Sequence, residues 1–543
     1  MNSDHRMNPD HRMNPDNPYD QTPYPSYAVT ASHPRHLAAI AALFGHPFVP
    51  PAACRVLEIG CASGGNLLPM AAALPQARFV GIDFSQVQID AAQQAQAALG
   101  LTNVEFICVD IRAADAAALG LFDYVMAHGI YSWLPPDAQA AMLALSRACL
   151  SAAGIAYISY NTLPGWRMRG IIRDMMLYHA EQHADAKTQV TQAKALLEFM
   201  ATHVPAEGNP YGQYLRSELQ MVTAVDENYL AHDHLETNNE ALYFRDFMAR
   251  ANGADLDYLG EADFSTMTGS GLAAPALAQL QAEITDIVRL EQYFDFMRNR
   301  TFRMTLLVRR GSALQRHVSA AALTPLYVSA SLKADAAPDL ASAEAAMTTF
   351  VSLTGTNLQT NTLVTKAALL VLAEQYPQCL AFPALLAAAR ARLPVQHCAA
   401  VTAASDGDAL GNDLMVAYSA PGLVQLHGAD PGAGRYSAAA DERWRAPAYA
   451  RWQAAPLVPV NLYHVPVQLN QAGRLVLALL DGTRDRAALL SAFHQFVLDG
   501  KIVLEQEGKP VAPVATGALI GPALDAVLSE LAAQGFLCRS DAP

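Results

Sequence analysis

The chain has 543 residues, of which 52% are hydrophobic and 16% are charged, and its formal net charge at pH 7 is −14. This length predicts about three domains rather than one. The acidic balance, without clustered Lys or Arg, argues against a nucleic-acid partner and is compatible with a basic partner such as a lysine-rich protein surface.

The cysteines and the N-terminus give no indication of export or of membrane insertion. The 7 cysteines are scattered and none forms a Cys-x-x-Cys pair, which predicts reduced thiols. The first residues are polar, and no apolar run reaches the roughly 18 residues of a membrane span. We therefore expect a soluble, cytoplasmic protein with no membrane partner. Residues 1–18 form a short polar repeat, for which we expect a disordered tail.

A helix comes next, and strands then alternate with helices. The segment Ser32-His-Pro starts a helix that ends at Gly45. The following strands are short, nearly all apolar and joined by helices, a pattern typical of a parallel sheet covered on both faces. The strands are predicted at 55–59, 78–83, 104–110, 122–128 and 155–160. The predicted fold class is therefore α/β, with a Rossmann-like sheet.

The rest of the chain is predicted to hold one insertion and two similar C-terminal modules. Two later strands, at 256–264 and 302–309, are expected to return to the sheet as its antiparallel edge. Helix-turn-helix patterns nearer the C-terminus resemble winged helices, whose excess of acids favours protein contact or dimerisation over DNA binding. The predicted boundaries are a core at 19–166, a helical insertion at 167–250, further sheet strands at 251–311, winged-helix-like modules at 312–402 and 451–543, and a loop or linker at 403–450.

The strongest functional signal is the turn after the first predicted strand, residues 56–66. An apolar strand ends there in very small residues and a helix begins directly after them, so backbone N–H groups are exposed to a bound cofactor. Only small side chains allow the backbone to approach a cofactor this closely. The cofactor-binding residues predicted in this turn are Glu58, Gly60, Cys61, Ala62 and Gly64.

The carboxylate of Glu58 distinguishes between cofactors. It would repel a pyrophosphate, whereas it suits the cationic amino group and the sulfonium neighbourhood of S-adenosylmethionine. The spacing Gly60-x-Ala62-x-x-Gly65 also fits a degraded dinucleotide fingerprint. The turn alone therefore leaves a nicotinamide dinucleotide, or a purely structural turn, as alternatives.

Two further carboxylates follow the next two predicted strands. Asp83 ends the second strand, where an acid can accept hydrogen bonds from both ribose hydroxyls, and Phe84 beside it can pack on an adenine face. Asp110 ends the third strand and can accept from the adenine amino group, with Ile111 supplying backbone contacts. Three acids at the carboxyl ends of three consecutive strands favour a methyl donor over a dinucleotide.

These motifs resemble those of class I S-adenosylmethionine-dependent methyltransferases, and more specifically the bacterial group with a methyltransferase regulatory domain, which includes the rickettsial protein lysine methyltransferases. The matching strings lie at 19–24, 56–66, 81–85, 122–133, 157–166, 173–179, 258–261, 291–293 and 300–303. Ala62 stands where class I enzymes usually have glycine. The resemblance implies S-adenosylmethionine as methyl donor, no metal, and a protein substrate that presents lysines. A small-molecule methyltransferase and a non-catalytic donor-binding protein that contacts partners through residues 312–543 are the alternatives.

The acceptor site is predicted at the ends of the fourth and fifth strands. Methyl transfer is an in-line displacement, so the protein must orient the two reactants and exclude water. An aromatic, partly desolvated wall lowers the pKa of an acceptor amine and holds its alkyl stem. Asn161 or Tyr131 can accept a hydrogen bond from the amine, and His128 can contact the donor or take the proton. The predicted catalytic residues are His128, Tyr131, Trp133, Asn161, Trp166 and, as a lid, Tyr24.

Two features of the sequence argue against other chemistries. The fourth strand ends in His128-Gly-Ile-Tyr131 and not in the Asn/Asp-Pro-Pro-aromatic tetrad of many enzymes that methylate adenine or glutamine nitrogens. The histidine pairs 179/183 and 232/234 have ligand-like spacing but no third ligand nearby, so no metal site is predicted.

Overall fold

The computed structural model describes residues 20, 24–183, 185–224, 235–236, 238–341, 346–352, 355–420, 422–431, 443–454, 458–506, 509–512 and 517–538. The predicted disordered tail at 1–18 and the histidine pair 232/234 lie outside these described residues.

A seven-stranded mixed sheet forms the centre of the N-terminal half. Its strands in chain order are β1 (Arg55–Ile59), β2 (Arg78–Asp83), β3 (Val104–Cys108), β4 (Phe122–Ala127), β5 (Leu150–Asn161), β6 (Leu256–Glu261) and β7 (Phe302–Arg309). Their order across the sheet is β3-β2-β1-β4-β5-β7-β6. β1 to β5 are parallel, and β7 runs antiparallel to both β5 and β6. The predicted return of the two late strands to the sheet edge is therefore confirmed.

Helices cover both faces of this sheet. They are α1 (Pro34–Leu43), α2 (Leu67–Ala73), α3 (Gln86–Leu99), α4 (Ala116–Leu119) and α5 (Pro136–Cys149). The ends of α3 show how the sequence sets them, because the Ser85 side chain accepts from the backbone N–H of Gln88 and Gly100 closes the helix at φ 64°. The strand order changes direction at β1, which has β2 on one side and β4 on the other. In such sheets a crevice opens at the carboxyl ends of the strands beside this point.

The chain between β5 and β7 is mostly helical. It contains α6 (Gly165–Ala180), α7 (Ala186–His203), α8 (Pro210–Thr223), α9 (Phe244–Gly253), α10 (Ala274–Glu283) and α11 (Ile287–Arg298). α6, α7 and α8 pack on one another around a small apolar cluster of their own, which includes Ile172, Leu197 and Leu215. α6, α7 and α8 lie almost entirely within the predicted helical insertion at 167–250, whereas α10 and α11 lie in the segment predicted at 251–311.

A buried ion cluster joins α9, β6, α11 and β7. The guanidinium of Arg303 contacts Glu261 at 2.6 Å, Asp295 at 2.8 Å and Glu291 at 3.1 Å, and all four side chains are fully buried. The same guanidinium lies 3.8 Å from the ring centroid of Phe244. Burial raises the pKa of Glu291 to about 7, which the positive charge of Arg303 opposes. The strings at 258–261, 291–293 and 300–303 therefore include residues of a structural cluster.

Residues 312–431 form a mixed region that packs on α1. Its strands are β8 (Tyr327–Ser329), β9 (Leu332–Ala334), β10 (Thr348–Ser352), β11 (Asn357–Thr360), β12 (Leu380–Ala381) and β13 (Gln425–His427). Its helices are α12 (Leu363–Gln375), α13 (Phe382–Arg390), α14 (Val395–Ala400) and α15 (Ala403–Tyr418). Two small sheets have the orders β11-β10-β9 and β12-β8-β13.

The predicted loop or linker at 403–450 is wrong over its first part, where α15 and β13 lie. The Thr402 side chain caps α15 by accepting from the backbone N–H of Ser405. Leu410 and Leu414, one helical turn apart, are fully buried as α15 packs on α12 and α13. The Ala, Gly, Asp and Ser content of this segment suggested a loop, but tertiary packing of one apolar stripe makes it a helix.

The C-terminal region is built around three helices with a separate apolar cluster. Its elements are α16 (Ala448–Gln453), α17 (Gln471–Leu479), α18 (Arg486–Leu498), the short hairpin β14 (Glu505–Gln506) and β15 (Lys509–Pro510), and α19 (Gly517–Ala533). Val476, Phe493 and Leu528 are among the buried residues of the cluster. Within the described ranges, no helix is both long enough and apolar enough to cross a membrane.

Candidate methyl-donor site

A cavity of about 700 Å³ lies at the carboxyl ends of the first four strands. Its volume is within the range of small-molecule sites. Most of the predicted site residues line it, namely Tyr24, Glu58, Gly60, Cys61, Ala62, Asp83, Phe84, Asp110, Ile111, His128 and Trp133. The topology of the sheet therefore brings together residues that are more than 100 positions apart in the chain, such as Tyr24 and Trp133.

Two backbone groups hold the carboxylate of Asp83 at the cavity wall. Its Oδ2 accepts from the N–H of Ala62 at 2.8 Å, and its Oδ1 accepts from the N–H of Ser85 at 2.9 Å. Desolvation raises the pKa of Asp83, and these N–H groups oppose the rise. A carboxylate has about four lone-pair sites, so acceptor capacity remains for a pair of ligand hydroxyls.

Glu58 has one carboxylate oxygen occupied and one without a partner. Oε1 accepts from Nδ2 of Asn66 at 2.7 Å, whereas Oε2 is buried and has no hydrogen-bond partner among the described residues. Burial raises the pKa of Glu58 to about 8. An orphaned carboxylate oxygen in a cavity wall calls for a donor, and a cationic amino group would satisfy it. This feature fits the amino acid part of S-adenosylmethionine.

The cavity wall after β3, where the adenine is predicted to lie, is more exposed than the wall after β1 and β2. Asp110 is partly exposed and forms an ion pair with Arg112 at 2.6 Å, which lowers the pKa of the aspartate. Phe84 lines the cavity and is 51% exposed, so its ring is free to take a stacked base. Ile111 supplies an apolar surface beside it.

The segment 24–29 forms a strap across the cavity, and all six of its residues line it. Ser26 Oγ accepts from the backbone N–H of Gly65 at 2.7 Å, and the carbonyl of Tyr24 accepts from Gln88 at 2.9 Å. A Cβ on Gly65 would lie 2.4 Å from the carbonyl oxygen of Ser26, so only glycine admits the strap. Of this strap, only Tyr24 was predicted from the sequence, where Gly65 is the one residue that indicates a close backbone contact.

Gly64 does not line the cavity, although it was predicted to bind the cofactor. A Cβ at Gly64 would lie 2.7 Å from the ring of Phe106, and the residue has φ 76°. A glycine is therefore needed at this position because the turn packs closely against β3, and not because a ligand approaches the backbone there.

His128 is held by β5 from behind. Its Nδ1 lies 2.7 Å from the hydroxyl of Tyr157 and 3.2 Å from Oγ of Ser159, and that Oγ accepts from the N–H of Gly129 at 2.7 Å. Burial lowers the pKa of His128 to about 4, so the imidazole is neutral at pH 7. Two roles were predicted for His128, contact with the methyl donor and acceptance of the amine proton. This geometry favours contact with the donor. Tyr157 and Ser159 were missed because they lie within an apolar strand.

Three predicted catalytic residues lie behind the cavity wall. Tyr131 is fully buried and packs edge-on against Phe247 at 5.3 Å. Asn161 donates from Nδ2 to Asn239 at 3.1 Å, and Trp166 packs edge-on against Trp133 at 6.2 Å. The expectation of direct substrate contact is therefore corrected for Tyr131, Asn161 and Trp166. Burial of the Tyr131 and Trp166 rings and the hydrogen bond of Asn161 keep these three side chains away from the cavity, whereas Tyr24, His128 and Trp133 line it.

No group of three or more His, Cys, Asp or Glu side chains in the described part of the chain could hold a metal ion. The rings of His179 and His183 lie 6.2 Å apart on α6 without a further ligand of this kind.

Comparison with known proteins places these features in a family. A methyltransferase domain matches residues 56–154, a predicted methyltransferase regulatory domain matches 226–309, and the C-terminal winged helix domain of PKMT matches 442–536. "Uncharacterized protein RP789" of Rickettsia prowazekii is 34% identical over 501 residues, which cover 91% of this chain and 89% of that protein. The chain belongs to the class I methyltransferases that carry a methyltransferase regulatory domain and a C-terminal winged helix domain.

Solved structures agree with this family over nearly the whole chain. PKMT2 from Rickettsia typhi superposes with a TM-score of 0.84 at 26% identity, covering 95% of this methyltransferase and 100% of PKMT2. PKMT2 in complex with AdoHcy superposes with a TM-score of 0.83 at 26% identity, with the same coverage. S-adenosylmethionine is the methyl donor of this methyltransferase, and the predicted fold with its winged-helix C-terminus is confirmed.

Proposed function

We propose that this methyltransferase transfers methyl groups from S-adenosylmethionine to lysine side chains of a protein substrate. The PKMT winged helix domain and the full-length similarity to PKMT2 support this choice. The observation that carries it is the charge of the cavity. Among the described residues that line the wall, four are acids, Glu58, Asp83, Asp110 and Glu236, and one is a permanent cation, Arg112. Such a wall favours a cationic donor and a cationic acceptor, and it repels acidic small molecules.

The donor-binding roles follow from the strand ends. Glu58 would accept a hydrogen bond from the amino group through its unpaired Oε2, and Asp83 would accept from the ribose hydroxyls. Phe84 and Ile111 would enclose the adenine ring, and Asp110 would accept from the adenine amino group beside Arg112. The bound donor supplies an electrophilic methyl group on a sulfonium ion.

The acceptor lysine must reach the methyl group without its proton. A free lysine has a pKa near 10.4, and desolvation beside a second cation lowers that value. His128 has a pKa of about 4 and does not hold a proton taken from the amine at neutral pH. We infer that the amine loses its proton to solvent before it is enclosed. Trp133, Leu134 and Pro135 then form an apolar wall for the alkyl stem.

Donor labelling in a cell lysate tests this proposal against its two alternatives. The full chain is incubated with methyl-labelled S-adenosylmethionine, and the protein and small-molecule fractions are separated. Label in protein supports lysine transfer, label only among small molecules supports a small-molecule enzyme, and donor binding without any transfer supports a non-catalytic role. Asp83→Ala should abolish transfer, whereas Asp90→Ala, an exposed acid on the following helix, should not.

A further inference from the structure

A turn of the C-terminal winged-helix region reaches the wall of the methyl-donor cavity. Nε2 of His464 lies 2.8 Å from Oδ1 of Asn66, across 398 positions of sequence. Two more bonds fix the same turn to the N-terminal half: Thr30 Oγ1 donates to the His464 carbonyl at 2.8 Å, and Arg35 donates to the Leu462 carbonyl at 2.9 Å. His464 and Asn66 are both 3% exposed. The contact is therefore part of a closely packed interface.

The hydrogen-bond partners of Asn66 determine its orientation. The backbone N–H of Val29 donates to Oδ1 at 2.9 Å, and a backbone N–H has no acceptor role. The amide nitrogen Nδ2 therefore points the other way, where it donates to Glu58 Oε1 at 2.7 Å and to Ser32 Oγ at 3.0 Å. Because Oδ1 only accepts, Nε2 of His464 must carry a hydrogen.

His464 is a neutral donor in this arrangement. Burial, together with the charge of Arg35, lowers its pKa to about 3. The ring of His33 packs edge-on against it at 5.0 Å, and its backbone has φ 60°, in the left-handed region that non-glycine residues avoid. A strained backbone at a buried, hydrogen-bonded side chain indicates that the surroundings fix the position of the imidazole.

The orientation of Asn66 determines which oxygen of Glu58 is free to bind a ligand. His464 and the backbone N–H of Val29 both donate to Oδ1 of Asn66. Hydrogen bonds that follow one another in a network strengthen one another. Asn66 then occupies Oε1 of Glu58, which leaves Oε2 as the only acceptor of that carboxylate without a partner among the described residues. The charged and titratable groups that face these hydrogen-bonded residues are Asp83, Cys61 and Tyr157 near Glu58, and His33 and Arg35 near His464.

We propose that His464 is a positioning residue for methyl-donor binding: through Asn66 it orients Glu58 toward the donor. The C-terminal region thereby supports donor affinity without touching the donor. This inference rests on the proposed role of Glu58. It goes beyond that role because it couples the winged-helix region to the first step of the reaction.

Calorimetric titration of the full chain with S-adenosylhomocysteine, between pH 6 and pH 8, tests the coupling. His464→Ala should weaken affinity about tenfold and shift the pH midpoint that Glu58 imposes on binding. His464→Gln, whose side-chain N–H can also donate to Asn66, should restore affinity to within about threefold. Thr30→Val removes another bond of the same turn and keeps the imidazole, so it is the matched control and should change neither quantity.

Several results would overturn the inference. One is that His464→Ala folds and binds S-adenosylhomocysteine with wild-type affinity and a wild-type pH midpoint. Another is that Thr30→Val loses as much affinity as His464→Ala, which would indicate general loosening of the interface. Glu58→Gln in the same titration separates the two proposals: if it binds normally, the role of Glu58 fails and the coupling fails with it. If Glu58→Gln binds weakly and His464→Ala normally, the coupling alone fails. Should His464→Ala not fold, His464→Asn, which tolerates left-handed backbone but is too short to reach Asn66, takes its place under the same criteria.

Discussion

The backbone N–H of Ala62 donates to the carboxylate of Asp83 across 2.8 Å, and Ala62 makes this bond with φ 47°. The bond joins the turn after β1 to the end of β2. The turn that is expected to approach the donor therefore fixes Asp83, which is expected to bind the ribose. The left-handed backbone explains why glycine is usual at this position in class I enzymes. An alanine there is strained by about 1 kcal/mol.

We expect Ala62→Gly to leave stability unchanged or to raise it by up to about 1 kcal/mol. Glycine relieves the backbone strain, while the extra freedom of the unfolded chain offsets part of the gain. Donor affinity should stay within about threefold, because the N–H that Asp83 accepts is retained. Urea unfolding and calorimetry measure the two quantities. A loss of stability above about 1 kcal/mol would show that the methyl group of Ala62 is packed and not merely tolerated.

Asp83→Asn should weaken donor binding by about 100-fold. The two oxygens of Asp83 each accept one backbone N–H and retain acceptor capacity, whereas asparagine has a single acceptor oxygen and places an N–H group against one of those donors. Asp90→Asn makes the same change on an exposed position of α3 and is the control. Affinity within threefold of wild type would remove Asp83 from the donor site.

Glu58→Gln should stabilise the donor-free protein as the pH rises. The pKa of Glu58 is about 8 in the folded protein and near 4.3 in an unfolded chain. A carboxyl with a raised folded pKa takes up a proton on folding, so its cost to stability grows from about pH 4 to pH 8 and then levels off. One pKa unit corresponds to about 1.4 kcal/mol, so Glu58→Gln should gain about 3 kcal/mol between pH 5 and pH 8.

Urea unfolding at pH 5 and pH 8 measures this gain, with Glu105→Gln on the exposed side of β3 as control. The same stability difference at both pH values would mean that the Glu58 carboxyl ionises normally. Donor affinity should change in the opposite direction, since glutamine cannot provide the negative charge that the donor amino group pairs with.

Arg303→Met should destabilise the fold by about 3–5 kcal/mol. Removal of the guanidinium leaves Glu291 buried without its ion-pair partner, and it leaves Arg300 as the remaining counter-charge for both Glu261 and Asp295. Arg310→Met removes a guanidinium that is 52% exposed and should cost less than about 0.5 kcal/mol. Chemical denaturation compares the two variants. A similar small loss in both would contradict the structural role of the cluster.

Local sequence pattern predicts structure best in the elements where it agrees with the tertiary packing. All five parallel strands, the Ser85 cap and the three acids at strand ends that line the cavity follow from short apolar runs and the residues that end them. Tyr131, Asn161 and Trp166 do not line the cavity, because proximity to a strand end in the sequence does not determine which way a side chain points. α15 was not predicted because its apolar stripe is stabilised as a helix only by packing on neighbouring helices, which the local sequence does not show.

Long-range contacts lay beyond the reach of local pattern. Nothing near His464 in the sequence indicates that it meets Asn66, and the left-handed backbone at this histidine has no local signature such as an Asn-Gly pair. The strap at 24–29 was found only in part for the same reason, since it is held by Gly65 and Gln88.

The central claim is that this methyltransferase modifies protein lysines, and fragment mass spectrometry tests it most directly. Protein from a lysate is incubated with the purified full chain and isotopically labelled S-adenosylmethionine, then digested and sequenced by fragmentation. We predict labelled methyl groups on lysine side chains, absent with Asp83→Ala and present with Asp90→Ala. Label confined to other side chains or to small molecules, under conditions where the donor binds, would contradict the account.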